Sequence, residues 1–351
     1  MKVAVITDTH FGARNTNLHI LENMRRFYRE IFFPEIERRG IKTILHLGDL
    51  NDNRKSINQL VGAFMLEEFF DPIERLDITI HIIAGNHDTY YKSNNSVNAL
   101  SMMLGNRYSN VHIYEKETTQ LNIGGVDILM CPWLSPENKE KCLENIASSN
   151  VQILMGHFEI EGCEMDAGRL CEHGLNRALF RGFDQVYSGH FHCPSETDNI
   201  TYLGAPYEMN WGDAGGRRGF HIFDSETREM EWIMNPLSQF RIINYDDRGL
   251  TTEDLEELDT SALSGTFIKV SVKHKTNPYL FDLFKTKIED SGVADLKVID
   301  LPKELETEES IDETKDTLDI LEEFVDGVET SVNKSKLKSL LNELYKEALN
   351  K

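Results

Sequence analysis

The chain has 351 residues, 40% of them apolar, and a formal net charge of −22. That length predicts a large domain plus something smaller, with apolar residues enough for a sizeable core. The composition excludes disorder and collagen-like repetition, and the acidity argues against a binder that grips phosphates through a basic face. It leaves room for an enzyme whose bound cations supply positive charge locally. The apolar run after Met1 is too short for a secretory signal, and no stretch approaches the ~20 apolar residues of a membrane helix. Five cysteines, Cys131, Cys142, Cys163, Cys171 and Cys193, form no C-x-x-C pair. They read as reduced thiols of a soluble, cytoplasmic protein.

In chain order, Lys2 to Thr7 reads as a strand that stops at Asp8, and Leu18 to Gly40 as a helix. Thr43 to Leu47 is a second strand, ending at Gly48-Asp49. Ile78 to Ala84 follows another helix and ends at Gly85-Asn86-His87-Asp88. Val151 to Met155 stops at Gly156-His157, and Gln185 to Ser188 at Gly189-His190. This alternation predicts a layered α/β domain over residues 1–245. Every one of these strands delivers metal-binding side chains at its carboxyl end, the edge where open α/β sheets bind ligands.

From about Tyr245 the character changes. Asp246 to Gly249 reads as a turn, Phe267 to Val272 as an alternating strand, Leu280 to Ile288 as a helix and Leu296 to Leu301 as a strand. That is a βαβ unit, a candidate second domain over 250–302. Acidic Lys303 to Glu309 then precedes a helical tail over 310–351. In the tail, Leu337, Leu340, Leu341, Leu344, Tyr345 and Ala348 fall on one apolar stripe. Such a stripe either packs on its own domain or docks on a partner's helices. No G-x-x-x-x-G-K-[ST] loop occurs, so ATP hydrolysis would have to come from another chain.

The strand ends collect Asp8, His10, Asp49, Asn86, His87, His157, His190 and His192. Carboxylate, imidazole and amide oxygen without cysteine form a hard-to-borderline set suited to Mn²⁺ or Fe²⁺, with Zn²⁺ an alternative. The D-x-H and H-x-H spacings put two side chains on one side of an extended segment. A carboxylate such as Asp49 at a sharp turn can bridge two metals about 3.5–4 Å apart, a pair that activates a shared water and clamps a phosphoryl group. His46, His81 and His221 read as hydrogen-bonded core, and His19, His112, His173 and His274 carry no motif.

Asp8-Thr9-His10, Gly48 to Asp52, Gly85 to Asp88, Gly156-His157 and Gly189 to His192 together resemble the calcineurin-type metallophosphoesterases. The resemblance implies an α/β sandwich with two divalent metals, manganese first. One metal would be held by Asp8, His10, Asp49 and His192, the other by Asp49, Asn86, His157 and His190. His87 would then be the general acid that protonates the leaving oxygen, with Asp52 orienting it. Tyr202 to Pro206 and Gly212 to Phe220 are similar to the SbcD-type recombination nucleases, which include bacteriophage recombination endonuclease subunits. The chain departs from their pattern at Asn51, where an aromatic is common, which alters local substrate contacts.

That second resemblance implies a capping domain for the βαβ unit and a hydrolase in DNA recombination, repair and replication. Its expected activities are Mn²⁺-dependent 3′→5′ exonuclease on duplex ends and endonuclease on single strands and hairpins. It also implies an SbcC-type, SMC-like coiled-coil ATPase as partner, bound through Leu337, Leu340, Leu341, Leu344 and Tyr345, and a homodimer within a heterotetramer. The compartment would be the cytoplasm, that of the host for a phage protein. Arg217 and Arg218 are candidate DNA phosphate contacts. The alternatives are a small-molecule phosphodiesterase or phosphatase with the same metal centre, and a scaffold that lost catalysis. The complete ligand set plus His87 argues against the scaffold.

Overall fold

The computed structural model describes residues 1–166, 168–300 and the lysines at 334, 336 and 338. The strands of the first half are β1 (Lys2–Ile6), β2 (Thr43–His46), β3 (Thr79–Ile83), β4 (Val111–Tyr114), β5 (Thr119–Ile123), β6 (Val126–Cys131) and β7 (Ile153–His157). Next come β8 (Glu164–Asp166), β9 (Arg169–Leu170), β10 (Gln185–Gly189), β11 (Ser195–Thr197) and β12 (Ile200–Tyr202). The last five are β13 (Gly219–Asp224), β14 (Glu229–Met234), β15 (Phe240–Asp246), β16 (Phe267–His274) and β17 (Asp295–Asp300).

Two six-stranded sheets form, in the orders β14-β13-β1-β2-β3-β4 and β11-β12-β10-β7-β6-β5. The apolar runs β1, β2 and β7 are buried on both faces, as strands inside a layered sandwich must be. Alternation assigns each residue to a layer. Val3, Val5, Leu45 and Leu47 face Ile153, Met155 and Tyr187 between the sheets. Ala4, Ile6 and Ile44 instead pack outward with Phe27, Tyr28 and Phe32 of the first helical segment. On the other side, Leu154 and Val186 pack outward with Cys142 and Ile146. The predicted helix over Leu18 to Gly40 is three pieces, Leu18–Arg26, a π-helical turn at Phe27–Phe32, and Phe33–Arg39. Asn17 caps its start by accepting from His19 N and Ile20 N.

β1 to β3 run parallel, as do β6, β7, β10 and β12, so their carboxyl ends gather on one edge of each sheet. The two edges are tied together directly. The His190 backbone N–H, after β10, donates to the Asp8 carboxylate after β1 at 3.0 Å. The His157 ring Nδ1 donates to the Leu47 carbonyl at 2.7 Å.

The small sheet is parallel throughout, β15-β16-β17, with the helix Pro278–Asp290 connecting β16 to β17. Tyr245, Ile268, Val270, Phe281, Phe284 and Ile288 form its core. β15 lies inside the stretch expected for the larger domain, so this sheet begins at Phe240 rather than at 250. Its first residues merge with the main core. Phe240 stacks on Phe267 at 4.9 Å and meets Trp211 edge-on at 5.1 Å. Met1–Asp300 accordingly form one compact unit. The tail stripe of Leu337, Leu340, Leu341, Leu344 and Tyr345 lies outside the described residues.

Candidate metal centre

The strand ends turn through unusual backbone. Asp8, His10, Asp49 and His190 all hold positive φ, at 52°, 41°, 53° and 87°. For non-glycine residues this costs about 1–3 kcal/mol each and persists only where the surroundings over-determine it. Two glycines are part of that enforcement. A Cβ on Gly85 would lie 2.2 Å from the Asp49 backbone nitrogen and from its Oδ1. One on Gly189 would lie 2.1 Å from Thr7 Oγ1.

Two triads result, Asp8-His10-His192 and Asp49-His157-His190, each with candidate ligand atoms within 4.8 Å of one another. Asp49 connects them. Its Oδ2 is 3.4 Å from His157 Nε2 in its own triad and 3.6 Å from His10 Nε2 in the other. Asn86 Oδ1 faces two ring nitrogens, His157 Nε2 and His190 Nδ1, at 3.0 Å each. His10 Nε2 and His192 Nε2 confront each other at 3.1 Å. Nitrogens and oxygens converging this way, with two buried carboxylates among them, fit a pair of divalent cations. Anionic substrate would be repelled by Asp8 and Asp49 without such cations.

Burial lowers His10 well below its ordinary value and His190 to about 3, so both rings are neutral and present lone pairs. At Asp49 burial opposes ionisation, but His157, His10 and His87 outweigh it and hold the carboxyl below its usual range. At His157 burial opposes charge, yet Asp49 draws a proton onto the ring and lifts it to about 9. To hold a cation through Nε2 the His157 ring would have to give up that proton.

His87 stands edge-on to His10, ring centroids 4.9 Å apart. Its backbone N–H donates to Asp49 Oδ1 at 2.7 Å, and its Nδ1 donates to the Asp52 carbonyl at 2.5 Å. Asp52 therefore meets His87 through its backbone. Its carboxylate points elsewhere, 3.8 Å from His10 Nδ1.

A surrounding set of groups braces the ligands. The buried Asp88 carboxylate accepts from the backbone N–H groups of Gly85, Leu50 and Asn51 at 2.9 to 3.1 Å, stitching the Asp49 turn to the Asn86 turn. Asn51 is buried beside it rather than presented to substrate. His46 accepts from Gly48 N and meets Thr9 Oγ1, shaping both metal turns from the core, where burial lowers it to about 3. Asp213 Oδ1 lies 3.5 Å from His192 Nδ1, the carboxylate–histidine arrangement that orients a metal ligand. Arg218 holds that loop. Its guanidinium pairs with Asp213 and donates to the His192 carbonyl.

The eight residues expected to bind metal or transfer a proton are thus brought together, whereas neither arginine stands among them. Arg218 is buried and fully engaged with Asp213 and His192. Arg217 stacks on Trp232 at 4.3 Å, in a cleft between sheet edges lined by Tyr187, Glu196 and His221. A glycine-rich arginine pair looks the same in sequence whether it reaches outward or buttresses a loop. The five cysteines are free thiols, four of them buried.

The model of the calcineurin-like phosphoesterases matches residues 1–194, a span that holds every residue of both triads. The chain belongs to that family and is a metal-dependent phosphodiesterase. Over 355 aligned residues, 99% of each chain, it is 30% identical to exonuclease subunit 1 of Enterobacteria phage T4. Among solved structures it is similar to an archaeal phosphodiesterase, with 14% identity and a TM-score of 0.33 over 67% of this chain and all of that one. A nuclease MPE from Pseudomonas putida gives 13% identity and a TM-score of 0.32 over 63% and 83%. Scores of that size add nothing to the assignment. Among the described residues, no helix is long and apolar enough to cross a membrane.

Proposed function

We propose that this chain is a Mn²⁺-dependent DNA nuclease subunit, degrading duplex ends 3′→5′ and cutting single strands and hairpins. The observation that carries the reading is Asp49 between two histidine triads, with His87 fixed beside them. The similarity over 99% of both chains to a phage exonuclease subunit supports DNA as substrate and membership of a complex.

One ion would be held by Asp8, His10, Asp49 and His192 and the other by Asp49, Asn86, His157 and His190. When bound, such a pair supplies Lewis acidity that activates water and offsets phosphate charge. The residues do the rest. Asp213 and the Leu47 carbonyl fix the tautomers of His192 and His157. The Asp52 carbonyl accepts a hydrogen bond from His87 Nδ1–H, so in the imidazolium form the Nε2 proton is the one given to the departing sugar oxygen, leaving a neutral ring.

Partner surfaces complete the proposal. Leu60, Val97, Met102 and Tyr90 are 50%, 41%, 78% and 42% exposed. Tyr90, Val97 and Met102 line a cavity of about 590 Å³ near the Asp49 and Asn86 turns. An apolar patch of this kind supports homodimerisation. The tail stripe from Leu337 to Tyr345 supports docking to an SMC-like ATPase in the cytoplasm, in recombination, repair and replication.

The test uses linear duplex and single-stranded DNA labelled at each end, with Mn²⁺, Mg²⁺ or chelator, beside bis-(p-nitrophenyl) phosphate. Mn²⁺-dependent DNA degradation that starts at 3′ ends is expected. Ester hydrolysis with intact DNA, persisting when an SMC-like ATPase partner is added, would move the chain to the small-molecule phosphodiesterases.

A further inference from the structure

Trp133 has no part in the chemistry above, yet it stands against the second triad. Its indole lies 5.3 Å from the His190 ring at 38°, and 6.1 Å from His157. Its backbone is pinned on both sides. The N–H donates to the Ala84 carbonyl at 2.7 Å, and the carbonyl accepts from the Asn95 and Asn138 amides at 2.9 and 3.2 Å. Asn138 is itself held, donating to the Lys116 carbonyl at 3.0 Å and accepting from Ser135 N at 2.8 Å. The backbone that carries the ring is therefore fixed before any ligand arrives, which lowers the cost of ordering the indole on binding.

Trp133 stays half-buried and lines a cavity of about 260 Å³ with Leu134, Phe158 and Leu175, where Lys139 adds an exposed cation and Glu159 a carboxylate. His157 belongs to both this cavity and the metal cluster, so the cavity shares a wall with the phosphate site. Its volume is below the roughly 300–1,000 Å³ of a drug-sized ligand site, which suits a single flat ring system. We infer that Trp133 and this cavity seat the base of the nucleotide that keeps the cleaved phosphate.

The inference rests on the nuclease reading and deepens it. His87 abuts His10 of the first triad while Trp133 abuts His190 of the second. The oxygen protonated by His87 leaves on one side, and the phosphate stays with the nucleotide on the other. Base stacking also answers the charge problem. A chain of net charge −22 is repelled overall by DNA phosphates, whereas an aromatic platform holds any base by its π-face.

The test is a substrate-by-variant cycle on the full-length protein with Mn²⁺. DNA strands end either in a normal nucleotide or in an abasic one, at the 3′ or the 5′ terminus. For the wild type, removing the base at the attacked end raises KM about tenfold, the size of one base–aromatic stack. Trp133→Leu shows that same rise on normal ends and no further rise on abasic ends, and Trp133→Phe restores most of the difference. Separately, 2-aminopurine placed at that terminus is quenched by the wild type with Ca²⁺ replacing Mn²⁺, and is not quenched by Trp133→Leu. If Trp133→Leu loses equally on both kinds of end, the indole only buttresses His190 and the seat is wrong. A wild type that degrades both kinds of end with one KM overturns the seat and leaves the nuclease standing. A wild type that cleaves no DNA overturns the nuclease, and the seat with it.

Discussion

Among the described residues, three clusters of aspartate and histidine bring candidate ligand atoms within 4.8 Å of one another. Two are the triads joined by Asp49. The third, Asp246-Asp247-His274, sits at the end of the small sheet. By residue type it looks equivalent, but its hydrogen bonding is opposite. Asp247 accepts from His274 Nδ1 at 2.7 Å, from Thr276 N at 2.5 Å and from Asn277 N at 2.7 Å. Asp246 is committed to Arg248. That carboxylate pair is already satisfied by the protein, and it fastens a turn. In the metal centre, ring nitrogens face each other, Asn86 Oδ1 faces two more, and four backbone positions are held at positive φ. Strain maintained by packing keeps those ligand atoms directed at one another, an arrangement suited to cations, whereas the oxygens of the third cluster are already taken by protein donors.

The comparison breaks most visibly at Asp49. Asp49→Ala removes the carboxylate between the triads and is expected to lower turnover by roughly 10³-fold or more, with loss of bound metal seen by elemental analysis. His87→Asn separates holding from chemistry. It should keep two ions per chain while kcat falls about 10²–10⁴-fold, because only the proton donor is gone. Near-normal cleavage by that variant would remove His87 from its role.

Asp213→Asn probes the ring behind the ligands. Metal affinity should drop about 10–100-fold through the loosened His192, with the fold intact by circular dichroism. Asp247→Ala should do the reverse, lowering Tm by roughly a few degrees while metal stoichiometry is unchanged. Bound ions lost in that variant would mean that the third cluster is no mere fastener.

The smallest effect concerns pH. Hydrogen bonds from Arg248 hold Asp246 at about 2, below its ordinary 3.8. A depressed carboxylate stabilises the fold fully above its unfolded value, and that contribution is lost as pH falls from about 3.8 toward 2. Asp246→Asn should flatten the dependence of the urea midpoint in that window. The change will be slight, because an exposed pair is well screened.

Much of the centre was legible because metal chemistry needs particular side chains at strand ends, and strands announce themselves by apolar runs. Asp8, Asp49, Asn86, His157 and His190 each follow such a run directly. Legibility stopped where a residue acts through a distant partner. Asp213 sits in the loop between β12 and β13, and only tertiary folding brings it to His192. Asp52 was visible, but sequence does not say whether its carboxylate or its carbonyl meets His87. β15 was hidden for a related reason. Alternation marks a strand but not its neighbour, and β15 pairs with β16 rather than extending the main sheets. Arg218 was misplaced because its partners, Asp213 and the His192 carbonyl, are not adjacent to it in the chain.

The central claim is that one carboxylate joins two triads into a single dinuclear centre. Manganese titration of chelator-treated protein, followed by electron paramagnetic resonance, tests it most directly. Two ions per chain with an exchange-coupled spectrum, and loss of that coupling in Asp49→Ala, are predicted. One ion per chain, or two uncoupled ions unaffected by Asp49→Ala, would contradict it.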